Sequence, residues 1–66
     1  MNYILTKPVT CTHQDYLYLL VAGTIVEWLG GVDNHTLVKY KDCTYLIRNE
    51  DWEGAYRTLK GGVKIE

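Results

Sequence analysis

The chain contains no serine and no phenylalanine, and it has one proline and two cysteines among 66 residues. Without serine, no Ser-His-Asp nucleophile can be assembled. A single proline is far from the composition of a proline-rich linker. Two cysteines far apart, Cys11 and Cys43, make no dense disulfide framework. The apolar run after Tyr16, residues 17–22, is six residues, whereas a membrane helix needs about 20 and a secretory apolar core follows a basic stretch. Residues 1–10 also lack a basic stretch followed by an apolar core. A cytoplasmic chain with no membrane segment is therefore expected, with Cys11 and Cys43 as reduced thiols. Neither sign of charge dominates, with seven basic and eight acidic residues and a formal charge of −1. That balance excludes an indiscriminate phosphate binder and an acidic mimic of nucleic acid.

What is present is hydrophobic material. At 47% hydrophobic residues the chain lies well above disordered compositions and is expected to fold as one domain over residues 1–66. A chain of this size buries only about 60% of the surface it exposes when unfolded, so its stability is marginal unless a partner or self-association adds to it.

Branched and aromatic residues predict strands over 3–6 and 9–12, separated by Lys7-Pro8, a pair suited to an edge or bulge. His13-Gln14-Asp15 reads as a turn. Residues 16–21 carry two patterns: Tyr16, Leu19 and Leu20 have helical spacing, but the short run with its Tyr and Val content suits a buried strand, which is preferred. Ala22-Gly23-Thr24 predicts a reversal, with glycine taking the positive φ. A strand over 25–29 follows, with Thr24, Val26 and Trp28 on one face. Gly30-Gly31-Val32-Asp33-Asn34 is dense in turn formers and predicts a flexible loop.

Residues 36–40 and 44–48 predict a hairpin around Lys41-Asp42-Cys43. With Asp42-Cys43 as the loop, Tyr40 faces Tyr45 and Val38 faces Ile47, while Lys39, Lys41 and Arg48 share the other face with Leu37 and Leu46. Asp-Cys is a poor type I′ pair, so a longer loop and a shifted register stay open. Residues 49–60 predict a C-terminal helix: Asn49 as N-cap, Glu50, Asp51 and Glu53 in the first turn, and Trp52, Ala55, Tyr56 and Leu59 as an apolar stripe. Gly61-Gly62 stops it, and 63–66 form an edge strand or a tail.

These elements amount to a mainly β fold of about five antiparallel strands with one short C-terminal helix. The Gly23-Thr24-Ile25-Val26 step, the strand it opens and the second hairpin resemble the SH3-like barrel, in particular its bacterial type. The resemblance covers residues 22–48, and the chain has no Arg-x-Gly-Pro segment. It implies a small closed barrel that serves as a binding scaffold.

Chemistry is sparse. Cys11, His13, His35 and Cys43 are the right residue types for tetrahedral zinc, but their spacing matches no common knuckle or finger, so no metal or other cofactor is expected. A Cys43–His35 pair oriented by Asp33 or Asp42 is the one nucleophilic arrangement available, and a barrel of this size leaves little room for a substrate cleft. Glu50, Asp51 and Glu53 are explained by a helix start. Gly30-Gly31 and Gly61-Gly62 lack the lysine and context of a phosphate loop. The expectation is a protein that is not an enzyme.

Binding is the stronger reading. Six tyrosines and two tryptophans with no phenylalanine give every ring a hydrogen-bonding edge, a bias of surfaces that are apolar in body and wet at the rim. The expected protein-binding face combines Glu50, Asp51, Trp52, Glu53 and Tyr56 with Asp33, Asn34 and His35. The alternative is a weak nucleic-acid-binding face made by Lys39, Lys41 and Arg48 beside tyrosines. A third reading is self-association through an open sheet edge. Taken as a short stand-alone chain, it resembles the accessory proteins of bacteriophages that bind and inhibit a host protein.

Overall fold

A computed structural model describes residues 1–59. The chain forms β1 (Asn2–Leu5), β2 (Val9–His13), β3 (Tyr16–Leu20), β4 (Ile25–Val32), β5 (His35–Tyr40), β6 (Cys43–Arg48), α1 (Asn49–Trp52) and β7 (Tyr56–Leu59). The seven strands make one antiparallel sheet in the order β3-β2-β6-β5-β4-β1-β7. Among the described residues β3 and β7 pair on one side only, so the sheet is open and the expected barrel closure is not among its pairings.

Three two-residue turns set the registers. Gln14 and Asp15 (φ 51° and 69°) close β2 onto β3, and Lys41 and Asp42 (φ 51° and 66°) close β5 onto β6. Both have the doubly positive φ of a type I′ turn, whose twist matches that of paired strands. Asp33 (φ 55°) opens the third turn, between β4 and β5.

The loop is therefore Lys41-Asp42 rather than Asp42-Cys43. Val38 faces Tyr45 and Tyr40 faces Cys43, in place of the predicted Tyr40–Tyr45 and Val38–Ile47 pairs. Putting the aspartate second spares Cys43 a left-handed backbone. The slip is by two positions, which preserves the parity of the strand. Val38, Tyr40, Tyr45 and Ile47 thus still share one face, and Leu37, Lys39, Leu46 and Arg48 the other.

The glycine-rich segment 30–32 is not a loop. Gly30, Gly31 and Val32 continue β4 opposite Leu37, Thr36 and His35, with a bulge between Trp28 and Gly30. Leu29 is the extra residue of that bulge, and the two glycines carry the strand on past the local twist it adds.

The predicted helix over 49–60 is one turn followed by a strand. Gly54 (φ 79°) reverses the backbone after Trp52, and Tyr56 to Leu59 then pair along all of β1. Without β7, β1 would present unpaired backbone groups on that side, and ladder pairing outweighs the helical spacing of the apolar residues. Arg48, not Asn49, occupies the N-cap position, with no side-chain cap. The strand count rises from about five to seven chiefly through β7. Gly61-Gly62 and residues 63–66 lie outside the described residues.

The core lies on the inner face of the sheet. Leu5, Val9, Cys11, Leu20, Val26, Val38 and Ile47 are buried together with Trp52 of α1 and Ala55 just before β7, and Tyr3, Tyr40, Tyr45 and Tyr56 pack partly against them. Trp52 stacks on Tyr56 at 4.3 Å and 15° and meets the ring of Tyr3 edge-on at 5.7 Å. The apolar stripe expected of a long helix is thus supplied mostly by one turn and the start of a strand.

Candidate functional site

The expected protein-binding residues divide between two environments. Trp52 is buried and Tyr56 half-buried against it, so neither is a free aromatic anchor. A ring is more useful to a small core than to solvent, and these two with Tyr3 close the end of the sheet beneath α1.

The polar members of the set converge. The β4–β5 turn and α1 are adjacent because the Asn49 amide donates to the Asn34 carbonyl at 2.9 Å. A second tie lies just below, where the buried Thr36 hydroxyl donates to Asn49 Oδ1 at 2.8 Å. Asn34, His35, Arg48, Asn49, Glu50 and Glu53 then line one open groove of about 530 Å³. Asp33 sits in the turn at its margin. Asp51 lies in the neighbouring hollow of about 470 Å³, with Thr10, Thr12, Leu17, His35, Leu46 and Arg48. Two segments well apart in the sequence, residues 33–35 and 48–53, thus form one surface.

Arg48 joins the two hollows. Its Nη2 lies 3.4 Å from Glu50 Oε2, and its Nε donates to Asp51 Oδ2 at 3.2 Å. One guanidinium faces two carboxylates, with Glu53 on the same rim, so the groove is acidic on balance. Arg48 was expected in the basic set instead. Lys39 lies directly across from Glu27 on the outer face, and Lys41 sits in its turn with Nζ 5.5 Å from the Tyr40 ring centre. The three cations form no continuous stripe along which phosphates could be tracked.

The thiol and imidazole groups stay apart. His35 and Cys43 lie at opposite ends of the β5–β6 hairpin and on opposite faces. Five strand positions separate His35 from Tyr40, the partner of Cys43, or about 16 Å. No Cys–His nucleophile is assembled there. Cys11 is buried, its Sγ directed at the Tyr18 carbonyl 3.6 Å away, and desolvation pushes its thiol up to about 11. His13 Nδ1 lies 2.8 Å from the Thr44 carbonyl. A carbonyl only accepts, so Nδ1 carries the proton. The His13 ring packs against Tyr45 and Tyr18, and burial raises the Tyr45 phenol. Among the described residues no three His, Cys, Asp or Glu side chains gather to hold a metal.

The largest apolar exposure lies on β3, expected to be a buried strand. Tyr16, Leu17 and Leu19 are 70%, 73% and 62% exposed, and only Leu20 is buried. β3 is an edge strand, covered by β2 on one side alone. An apolar run identifies a strand but not its place in the sheet, so nothing local could have separated a central position from an edge.

No family model, no curated protein and no solved structure matches this chain significantly.

Proposed function

We propose that this chain is a protein-binding module that acts by covering a site on its partner. What supports this reading is the groove between the β4–β5 turn and α1, where Asn34 and His35 meet Asn49, Glu50 and Glu53 on a hydrogen-bonded framework. Its rim carries more carboxylate than cation and adjoins a hollow lined by Leu17 and Leu46. A partner segment with a lysine or arginine next to an apolar side chain complements both parts. Electrostatic matching of this kind chiefly sets encounter rate and specificity, while apolar contact supplies most of the affinity. Inhibition or modulation of a host protein, as in the phage accessory proteins the chain resembles, is the biological setting this reading fits.

The test is affinity capture from a bacterial lysate with and without nuclease, using the native protein and a Glu50→Lys/Glu53→Lys variant. One stoichiometric protein that survives nuclease and is lost with the variant, while the circular dichroism is unchanged, is the expected outcome. Partners that vanish with nuclease would instead favour nucleic acid and the Lys39, Lys41 and Arg48 face.

A further inference from the structure

We infer that β3 is a dimerisation edge, and that two copies of the chain pair antiparallel through residues 16–20 to make one continuous sheet. This goes beyond the groove reading and uses a different surface.

The hydrogen-bonding pattern of the β2–β3 hairpin determines which backbone groups remain free. A two-residue turn is flanked by a hydrogen-bonded pair, here His13 and Tyr16, and such pairs recur at every second position. Cys11–Tyr18 and Val9–Leu20 therefore also exchange their bonds across the ladder. The amides and carbonyls of Leu17 and Leu19 point the other way, off the edge of the sheet. Two outward residues on either side of Tyr18 form a self-complementary set. In a two-fold pair centred on Tyr18, Leu17 of one copy exchanges both its bonds with Leu19 of the other, and the reverse. Four backbone hydrogen bonds result, and all five strand residues overlap.

The side chains agree with that register. Across the dyad Tyr18 meets its own copy on the inner face and Tyr16 meets Leu20, while on the outer face Leu17 and Leu19 of each copy cover one another. Cross-strand aromatic and aliphatic pairs of this kind are favourable. The edge also lacks what normally blocks such pairing. Residues 16–23 include no charged residue and no proline, whereas exposed edges are ordinarily guarded by lysine, proline or a bulge. The opposite edge, β7, carries Arg57.

The exposed parts of Tyr16, Leu17, Tyr18 and Leu19 sum to roughly 500 Å² per copy, so a pair covers at most about 1,000 Å², the lower limit for a specific interface. The dimer is accordingly weak and concentration-dependent, with a dissociation constant in the micromolar range or above.

The experiment is sedimentation equilibrium from about 1 µM to 1 mM, with native protein, Leu19→Lys and Leu19→Pro. Proline at 19 removes an outward amide without touching the β2 ladder, and lysine places a charge against Leu17 of the other copy. The native mass is expected to double across the range. Either variant that retains its strand circular dichroism is expected to raise the dissociation constant at least tenfold. Glu50→Lys/Glu53→Lys is expected to show the same doubling of mass as the native protein, which separates this proposal from the groove reading. In a mixed sample of labelled and unlabelled chains, an isotope-filtered NOE between the Tyr18 Hα protons of the two copies identifies the register, because the facing pair at the dyad is not hydrogen-bonded and its α-protons are close.

A native protein that stays monomeric throughout overturns the proposal. Slow exchange of the Leu17 and Leu19 amides in that monomer would point to the chain's own last residues as the cover, and fast exchange to a bare edge. A dimer insensitive to both Leu19 variants and lacking the Tyr18 NOE also overturns it, since pairing would then use another surface.

Discussion

The Thr36 hydroxyl hydrogen-bonds to Asn49 Oδ1 at 2.8 Å, joining the inner face of β5 to the first residue of α1. Thr36 is the one polar residue fully buried among the described residues, and this bond is its side chain's partner. Asn49→Ala leaves the hydroxyl buried and unpaired, which costs about 1–3 kcal/mol. Thr36→Val removes the buried polar group together with its need and costs less, and the double variant resembles Thr36→Val alone. Urea unfolding of the three variants checks this order. Equal losses for both single variants would assign the bond no special weight.

The two tryptophans differ in environment, at 6% exposure for Trp52 and 43% for Trp28. The emission of Trp28→Phe is expected to be blue-shifted relative to native protein, since only the buried indole remains. Trp52→Ala removes the centre of the Tyr3–Trp52–Tyr56 cluster and costs about 3–5 kcal/mol, close to the whole stability of a chain this small. Unfolding of Trp52→Ala at room temperature is the expected result. A folded Trp52→Ala that has lost only partner binding would return Trp52 to the contact surface.

The cysteines should react in order. Cys11 is buried with its thiol raised to about 11, and Cys43 is only half-buried. Alkylation at pH 8 is expected to modify Cys43 first and Cys11 only on unfolding, as mass spectrometry of time points will show. The same shift makes stability depend on pH. The fold favours the protonated thiol, so that contribution is complete below its ordinary value of 9.0 and is lost as pH rises through about 11. Burial of the Tyr45 phenol acts in the same direction. Urea midpoints are expected to fall from pH 8 to pH 11, and to fall less steeply for Cys11→Ala.

Backbone conformation gives a paired test of opposite sign. Gly54 has φ 79° and a side chain there would meet nothing within 4 Å, so Gly54→Ala registers conformational cost alone, about 1–2 kcal/mol. Lys41 and Asp42 already hold positive φ without glycine. Replacing the pair by Asn-Gly, the preferred type I′ sequence, should stabilise by about 1 kcal/mol. Thermal melts read both, and a destabilising Asn-Gly pair would contradict the turn assignment.

The strands were legible wherever short-range chemistry decided them. Lys7-Pro8, Gly23 and the polar residues before Tyr16 mark breaks that the structure keeps, and Tyr16 to Leu20 is a strand as its composition suggests. Legibility ended where two local signals competed. Trp52, Ala55, Tyr56 and Leu59 have helical spacing, yet β1 offers an edge to pair with, and Gly54 lets the chain take it. Gly30-Gly31 look like a loop in isolation and are a strand because β5 lies alongside. The candidate groove was half legible. Asn34, His35, Glu50 and Glu53 were named from the sequence, whereas Arg48 was assigned to the basic set and Asn49 to a helix cap, and of the two expected aromatic anchors Trp52 is buried and Tyr56 half-buried.

The sequence by itself determined a mainly β chain, the approximate places of its reversals near residues 13–15, 22–24 and 41–43, and which residues share a strand face, because these follow from φ preferences and a period of two. The order β3-β2-β6-β5-β4-β1-β7, the exposure of β3 and the meeting of Asn34 with Asn49 were decided only in the tertiary structure. Each depends on which strand lies beside which, and that choice rests on backbone pairing and burial between segments distant along the chain, to which no local pattern is sensitive.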